Sequence, residues 1–140
     1  MPFPGSWCTP PIAPSKLAEF IANPFHSTFP DQGLRYLEHA LASPNSKIRS
    51  ARLKRVVSEG YYQLALQEYS KGSKSKAAAY YKKTLAINPS NSDALTNFGA
   101  LLGNQGKLNE AEAQFRMALE LDPDNQVAKK NLELVIQKQR

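Results

Sequence analysis

The side chains that could do chemistry in this chain are few and poorly placed for it. His26 and His39 stand apart, with no His-x-x-x-His spacing and no cysteine partner. A lone histidine on a helix or loop is usually structural or solvated, so neither marks a metal ligand or an activated nucleophile. Cys8 is the only cysteine, which excludes an internal disulfide and a thiolate metal cluster and fits a reducing, cytoplasmic setting. Lys71-Gly72-Ser73-Lys74-Ser75-Lys76 has lysines and serines but not the spaced glycines of a phosphate-binding loop, and reads as a flexible basic turn. Glu110 and Glu112 are two residues apart and project from different sides of a helix, so they cannot act as an acid/base pair. The expectation is a non-catalytic chain with no cofactor and no metal.

Charge is the next resource for binding. The formal charge is +6, and its distribution says more than its sum. Lys47, Arg49, Arg52, Lys54 and Arg55 form one basic cluster; Lys71, Lys74, Lys76, Lys82 and Lys83 form another with no acid among them. Glu110, Glu112, Glu120, Asp122 and Asp124 follow. An acidic or phosphate-bearing partner would suit the middle of the chain, but a solvated helix face explains the same charges more simply. Nucleic acid is disfavoured: residues 47–55 spread their charge around the helix, and no aromatic platform for base stacking is interleaved with them.

These side chains must be positioned by helices. Residues 1–14 hold five of the ten prolines and predict an extended tail. The start lacks the basic and apolar regions of a secretory leader, and no run approaches ~18 apolar residues, so no transmembrane helix is predicted. Ser15 caps a short helix to Asn23, an aromatic loop follows to Pro30, and Asp31 caps a helix with Leu34, Leu37 and Leu41 on one face. From Ser46 to about Lys71 the pattern predicts one long helix, with Leu53, Val57, Tyr61, Leu64 and Ala65 on one side and a kink at Gly60 as the alternative. Helices over 74–87, 92–104, 108–121 and 126–138 follow. Asn88-Pro89-Ser90-Asn91 and Asp122-Pro123-Asp124-Asn125 are the joints, each with a proline to stop one helix and short polar residues to cap the next.

Ser58 to Pro89 and Ser92 to Pro123 are one pattern written twice, 34 residues apart. Tyr61 falls on Leu95, Leu64 on Phe98, Ala65 on Gly99, Gly72 on Gly106, Ala77 on Ala111, Tyr81 on Phe115, Leu85 on Leu119 and Pro89 on Pro123. Antiparallel helices that pair and then stack need small residues where backbones meet: Ala65 and Ala77, then Gly99, Ala111 and Ala118. Larger residues fill the space between, and Gly72 and Gly106 sit at turns that call for positive φ. The spacing resembles the tetratricopeptide repeat, a 34-residue helix-turn-helix unit. Leu95, Phe98-Gly99, Leu102, Gly106, Ala111, Phe115, Ala118 and Pro123 match its pattern; Glu68 and Thr84 depart from it in the first copy, where an apolar residue and an alanine are usual.

The resemblance implies an all-α, antiparallel helix-pair stack (a solenoid of tetratricopeptide type) with additional N-terminal helices. The expected organisation is a tail over 1–14, an N-terminal helical extension over 15–57, and a repeat domain over 58–140. That domain divides into repeats 58–91 and 92–125 and a capping helix 126–140 with an apolar stripe of Ala128, Leu132 and Val135. The resemblance further implies a concave surface lined by first helices, holding a peptide or a partner helix. Carried over residue by residue, the groove positions are Tyr62, Leu66 and Tyr69; Asp93, Thr96, Asn97, Ala100 and Asn104; and Lys130, Asn131 and Leu134. Some family members grip a C-terminal carboxylate with lysine, arginine and asparagine. Only Asn97 matches that clamp; Tyr62, Leu66, Val127 and Asn131 occupy its other positions, which argues against it. The alternative for the apolar stripe is that residues 1–45, which carry Trp7, Phe20, Phe25 and Phe29, fold back over it.

The expected function is protein–protein interaction with a protein or peptide partner. Two other readings stay open. Phe25 to Pro44, followed by a basic helix and repeats, resembles the helical extensions of some bacterial sugar transferases, which would make the chain an accessory segment of a larger enzyme. Alternatively, residues 1–30 of one chain fill the groove of another in a homodimer.

Overall fold

The computed structural model describes residues 51–140 together with Arg35 and His39. The expected tail, the helix over 15–23, the aromatic loop, most of the helix over 31–42 and the basic residues Lys47 and Arg49 lie outside the described residues; Arg35 and His39 are helical and exposed. Five helices follow in order: α1 (Ala51–Ser70), α2 (Lys74–Ile87), α3 (Ser92–Asn104), α4 (Leu108–Leu121) and α5 (Gln126–Gln139). Among the described residues there is no strand. α1 pairs with α2, α3 with α4, and α4 with α5; α2 packs on α3, and α3 also touches α5. The fold is an all-α stack of antiparallel helix pairs.

The period seen in the sequence is repeated hydrogen bond for hydrogen bond. Gly72 (φ 81°) and Gly106 (φ 79°) are the two positive-φ glycines among the described residues. Behind Gly72, its N–H donates to Tyr69 O (3.0 Å) and the Ser73 N–H to Glu68 O (2.9 Å); behind Gly106, the bonds run to Gly103 O (3.1 Å) and from Lys107 N–H to Leu102 O (3.0 Å). This left-handed glycine cap satisfies the last carbonyls of α1 and α3 and reverses the chain within a few residues. At the joints, Asn88 and Asp122 accept from Ser90 N–H and Asp124 N–H, each at 3.2 Å. Asn91 and Asn125 then cap α3 and α5, accepting from Ala94 N–H and Ala128 N–H, each at 2.9 Å. α2 and α4 stop at Ile87 and Leu121, two residues before each proline, because the residue preceding proline is held out of the helical region.

α1 runs through Gly60 as one continuous helix from Ala51 to Ser70. Val57, Tyr61, Leu64 and Ala65 share one face of it and are all in the core. The small seam residues Ala65, Ala77, Ala111 and Ala118 are fully enclosed, with Tyr81 and Phe115 between them. The two departures from the repeat pattern are accommodated locally. Thr84 is buried, its hydroxyl donates to Tyr80 O (2.9 Å), and its own carbonyl accepts from the Ser58 hydroxyl (3.3 Å). Glu68 lies in the last turn of α1 and pairs with Lys71 at 3.1 Å. α5 carries Ala128 and Val135 inward, with Leu132 packed beside them, and Gln139 donates to Asn109 Oδ1 at 3.0 Å, tying its end to α4.

Asn125 does more than Asn91. While its Oδ1 caps α5, its Nδ2 donates to the Thr96 hydroxyl at 3.0 Å, and that hydroxyl donates to Ser92 O at 2.8 Å. Asn91→Ala should cost about 1 kcal/mol, the usual value of a cap, and Asn125→Ala should exceed it because a buried hydroxyl also loses its donor. Urea unfolding of both variants measures this; equal losses would show that the Thr96 link contributes nothing.

Candidate functional site

The expected groove positions lie on α1, α3 and α5. On α1, Tyr62, Leu66 and Tyr69 recur at i, i+4 and i+7 and form a stripe beside the core stripe. Tyr62 and Leu66 are half-buried, and Tyr69 is 40% exposed. On α3, Asn97 and Ala100 are half-buried and Asp93 and Asn104 are exposed. On α5, Asn131 is half-buried, Lys130 is exposed and Leu134 is 47% exposed. Val127, at 59%, continues the α5 stripe toward its N-terminus. One position behaves differently from expectation. Thr96 is buried with its hydroxyl occupied on both sides, so it braces the α3–α5 joint and presents nothing to a ligand.

The structure adds a feature that the repeat pattern does not reveal. Asn97 Nδ2 donates to the Tyr62 hydroxyl at 2.8 Å, and Asn104 Nδ2 donates to the Tyr69 hydroxyl at 3.2 Å. Both links span 35 residues, one more than the repeat, and they form two rungs between neighbouring first helices, two helical turns apart. In each rung the tyrosine oxygen accepts, so its own hydrogen is left for another acceptor.

Tyr81 lies beneath these rungs. It is 1% exposed, its ring is 6.2 Å from that of Tyr62 and 6.0 Å from that of Phe98, and its hydroxyl makes no hydrogen bond among the described residues. Burial pushes its phenol up to about 12, with the neighbouring Tyr62 and Tyr69 oxygens adding to the rise. The Tyr62 phenol is also raised, first by burial and then by the Asp93 carboxylate; its bond from Asn97 opposes the rise, and Glu59 adds to it. Both tyrosines therefore stay protonated donors throughout the physiological range.

A raised phenol stabilises the fold fully below the unfolded value near pH 10 and loses that contribution as pH climbs through about 12. Tyr81→Phe should keep its stability at neutral pH, since Phe115 fills the equivalent place in the second pair. Between pH 10 and 12 it should lose less stability than the parent, by on the order of 1–2 kcal/mol. Paired urea melts at pH 8 and above pH 11 check this; identical alkaline losses would remove Tyr81 as the cause.

Among the described residues, acidic and metal-ligating groups do not converge. Glu112 pairs with Arg116 at 2.7 Å and Glu110 lies 4.0 Å from Lys107, so each carboxylate has its own cation. The Glu112 carboxyl is held low by its Arg116 hydrogen bond, with Gln139 assisting. Among the described residues no three His, Cys, Asp or Glu side chains gather as a metal site, and no helix is long and apolar enough to cross a membrane. The site offers hydrogen-bond donors, exposed aromatic and aliphatic surface, and two carboxylates.

Comparison with known proteins agrees with this architecture. The tetratricopeptide repeat family model matches residues 80–113, a window one period long. The photosystem I assembly protein Ycf3 of Cyanophora paradoxa is 33% identical over 85 residues, covering 51% of this chain and 49% of that protein. The human protein O-mannosyl-transferase TMTC2 is 39% identical over 56 residues, covering 40% of this chain and 7% of that protein. The chain thus spans about half the length of the first relative and a small part of the second. Two helix pairs repeat at one period with matching glycine caps and polar joints, and the window that resembles the tetratricopeptide repeat, residues 80–113, lies across the step from the first pair to the second.

Proposed function

We propose that the face formed by α1, α3 and α5 holds a peptide or a helix of another protein, and that the chain acts as a non-catalytic interaction module. The carrying observation is the stripe of Tyr62, Leu66 and Tyr69 continued by Ala100 and Leu134: apolar and aromatic groups left partly or largely open beside a complete core. Burying such groups against a partner supplies most of the binding free energy in interfaces of this kind. The likeness to an assembly protein supports a role in bringing other polypeptides together. The likeness to a short stretch of a mannosyl-transferase supports a second reading, in which these repeats serve as an accessory segment of a larger enzyme. In either setting the same face does the binding.

The test uses the full chain, immobilised, to select binders from a displayed random-peptide library. Tyr62→Ala and Leu66→Arg should each weaken the selected peptides at least about tenfold. Met117→Lys, on the exposed side of α4, should change affinity less than about twofold. Binding that survives both groove variants and falls with Met117→Lys would place the site elsewhere.

A further inference from the structure

Resting on the groove reading, we propose that the occupant is an extended, basic peptide: the hydroxyls of Tyr62 and Tyr69 donate to its main-chain carbonyls, and Asp93 with Glu59 holds a lysine or arginine side chain at the Tyr62 end. Three observations carry this. The first is the direction of the rungs. Asn97 and Asn104 each give a proton to a tyrosine oxygen, which fixes the phenol and leaves its O–H to point at something else. A carbonyl is an acceptor without a proton and is the matching group.

The second is spacing. Seven residues of helix separate Tyr62 from Tyr69, about 10.5 Å at about 1.5 Å per residue. Three residues of an extended chain span about 10 Å at about 3.3 Å each, so carbonyls three residues apart meet both hydroxyls. A helical ligand hides its carbonyls in its own hydrogen bonds and cannot answer two donors placed this way. Beneath the rungs, the Tyr81 hydroxyl, enclosed and without a partner among the described residues, is near enough to feel both tyrosine oxygens.

The third is charge. Asp93 is exposed in the first turn of α3 and has no hydrogen-bond or ion-pair partner among the described residues. Glu59 lies on α1 one turn before Gln63, from which its carboxylate accepts a hydrogen bond at 2.9 Å. Asp93 stands one turn before Asn97 on α3 and Glu59 three residues before Tyr62 on α1, and both carboxylates act on the Tyr62 phenol. The exposed Arg55, seven residues before Tyr62, pairs with neither of them. A free carboxyl terminus is repelled at this end, while a cationic side chain is attracted.

The peptides selected on the full chain serve as probes. They should be rich in lysine or arginine and free of helical i, i+3, i+4 apolar patterning. Tyr62→Phe and Tyr69→Phe keep the rings and remove the hydroxyls with their Asn97 and Asn104 bonds; each should weaken binding about 5–10-fold at a temperature where circular dichroism shows the variant fully folded. Asp93→Asn, at an exposed position, should weaken lysine-containing peptides and leave their lysine-to-glutamine versions unaffected. Selected peptides that require Leu66 but ignore both phenylalanine variants, or that prove acidic or helical, would overturn this proposal and leave the groove reading standing. A library that yields no binder sensitive to Leu66→Arg would overturn both.

Discussion

Gly99→Leu is expected to destabilise the protein by about 2–3 kcal/mol, measured as a lowered midpoint in urea with the slope unchanged. A Cβ placed on Gly99 would lie 2.8 Å from Phe115 Cε1, 3.0 Å from Cζ and 3.1 Å from Cδ1. Atoms do not sit that close, so the ring or the helix must move. Phe115 is 1% exposed and packed on every side, which leaves the ring no free volume to enter. Leucine adds three further carbons along the same line. Replacing a mid-helix glycine gives back roughly 0.5–1 kcal/mol of chain entropy, which the clash outweighs. Gly99→Ala should cost less, and shortening the ring with Phe115→Leu should reduce the cost of Gly99→Ala, because the two positions share one contact. A leucine variant as stable as the parent would mean that α3 and α4 do not meet at this seam.

Phe115→Ala is expected to cost about 3–5 kcal/mol. The ring is enclosed between α3 and α4 and belongs to the core that runs from Ala65 to Val135. Its removal leaves a hole between two helices that cannot close without breaking their glycine and alanine contacts. A domain of this size has only some 5–15 kcal/mol of stability, so the variant should be partly unfolded at physiological temperature. Met117, two residues further along α4, is 45% exposed and provides the control: Met117→Ala should change stability by less than about 0.5 kcal/mol. Equal effects at the two positions would contradict the assignment of the α4 inner face.

Much of this architecture can be read from the chain because repeats expose their own register. Aligning Ala65 with Gly99, Ala77 with Ala111 and Tyr81 with Phe115 identifies the seam, and the prolines, asparagines and glycines mark the turns by fixed backbone preferences. Four helices begin and end within a residue of where those signals place them, α5 running one residue further to Gln139 and α1 stopping one short at Ser70. Other features depend on how one pair sits on the next. Leu101 is fully buried, yet the equivalent position in the first pair is the exposed Gln67. Among the described residues α3 packs on α2, α4 and α5 while α1 packs chiefly on α2, and a comparison of copies cannot show that difference. The Tyr62–Asn97 and Tyr69–Asn104 rungs join positions 35 apart, so an alignment at the 34-residue period passes over them. Thr96 shares a helical face with groove residues by periodicity alone; the Asn125 side chain, reaching back from the next joint, is what encloses it.

Which face of the stack meets a partner is tested most directly by an NMR titration of the isotope-labelled full chain with a selected peptide. Saturating peptide should shift the amides and side-chain amides of Tyr62, Leu66, Tyr69, Asn97, Asn104 and Leu134, while Ala79, Lys82 and Met117 on the outer sides of α2 and α4 stay in place. Shifts concentrated on α2 and α4, with the tyrosine and asparagine rungs undisturbed, would contradict it.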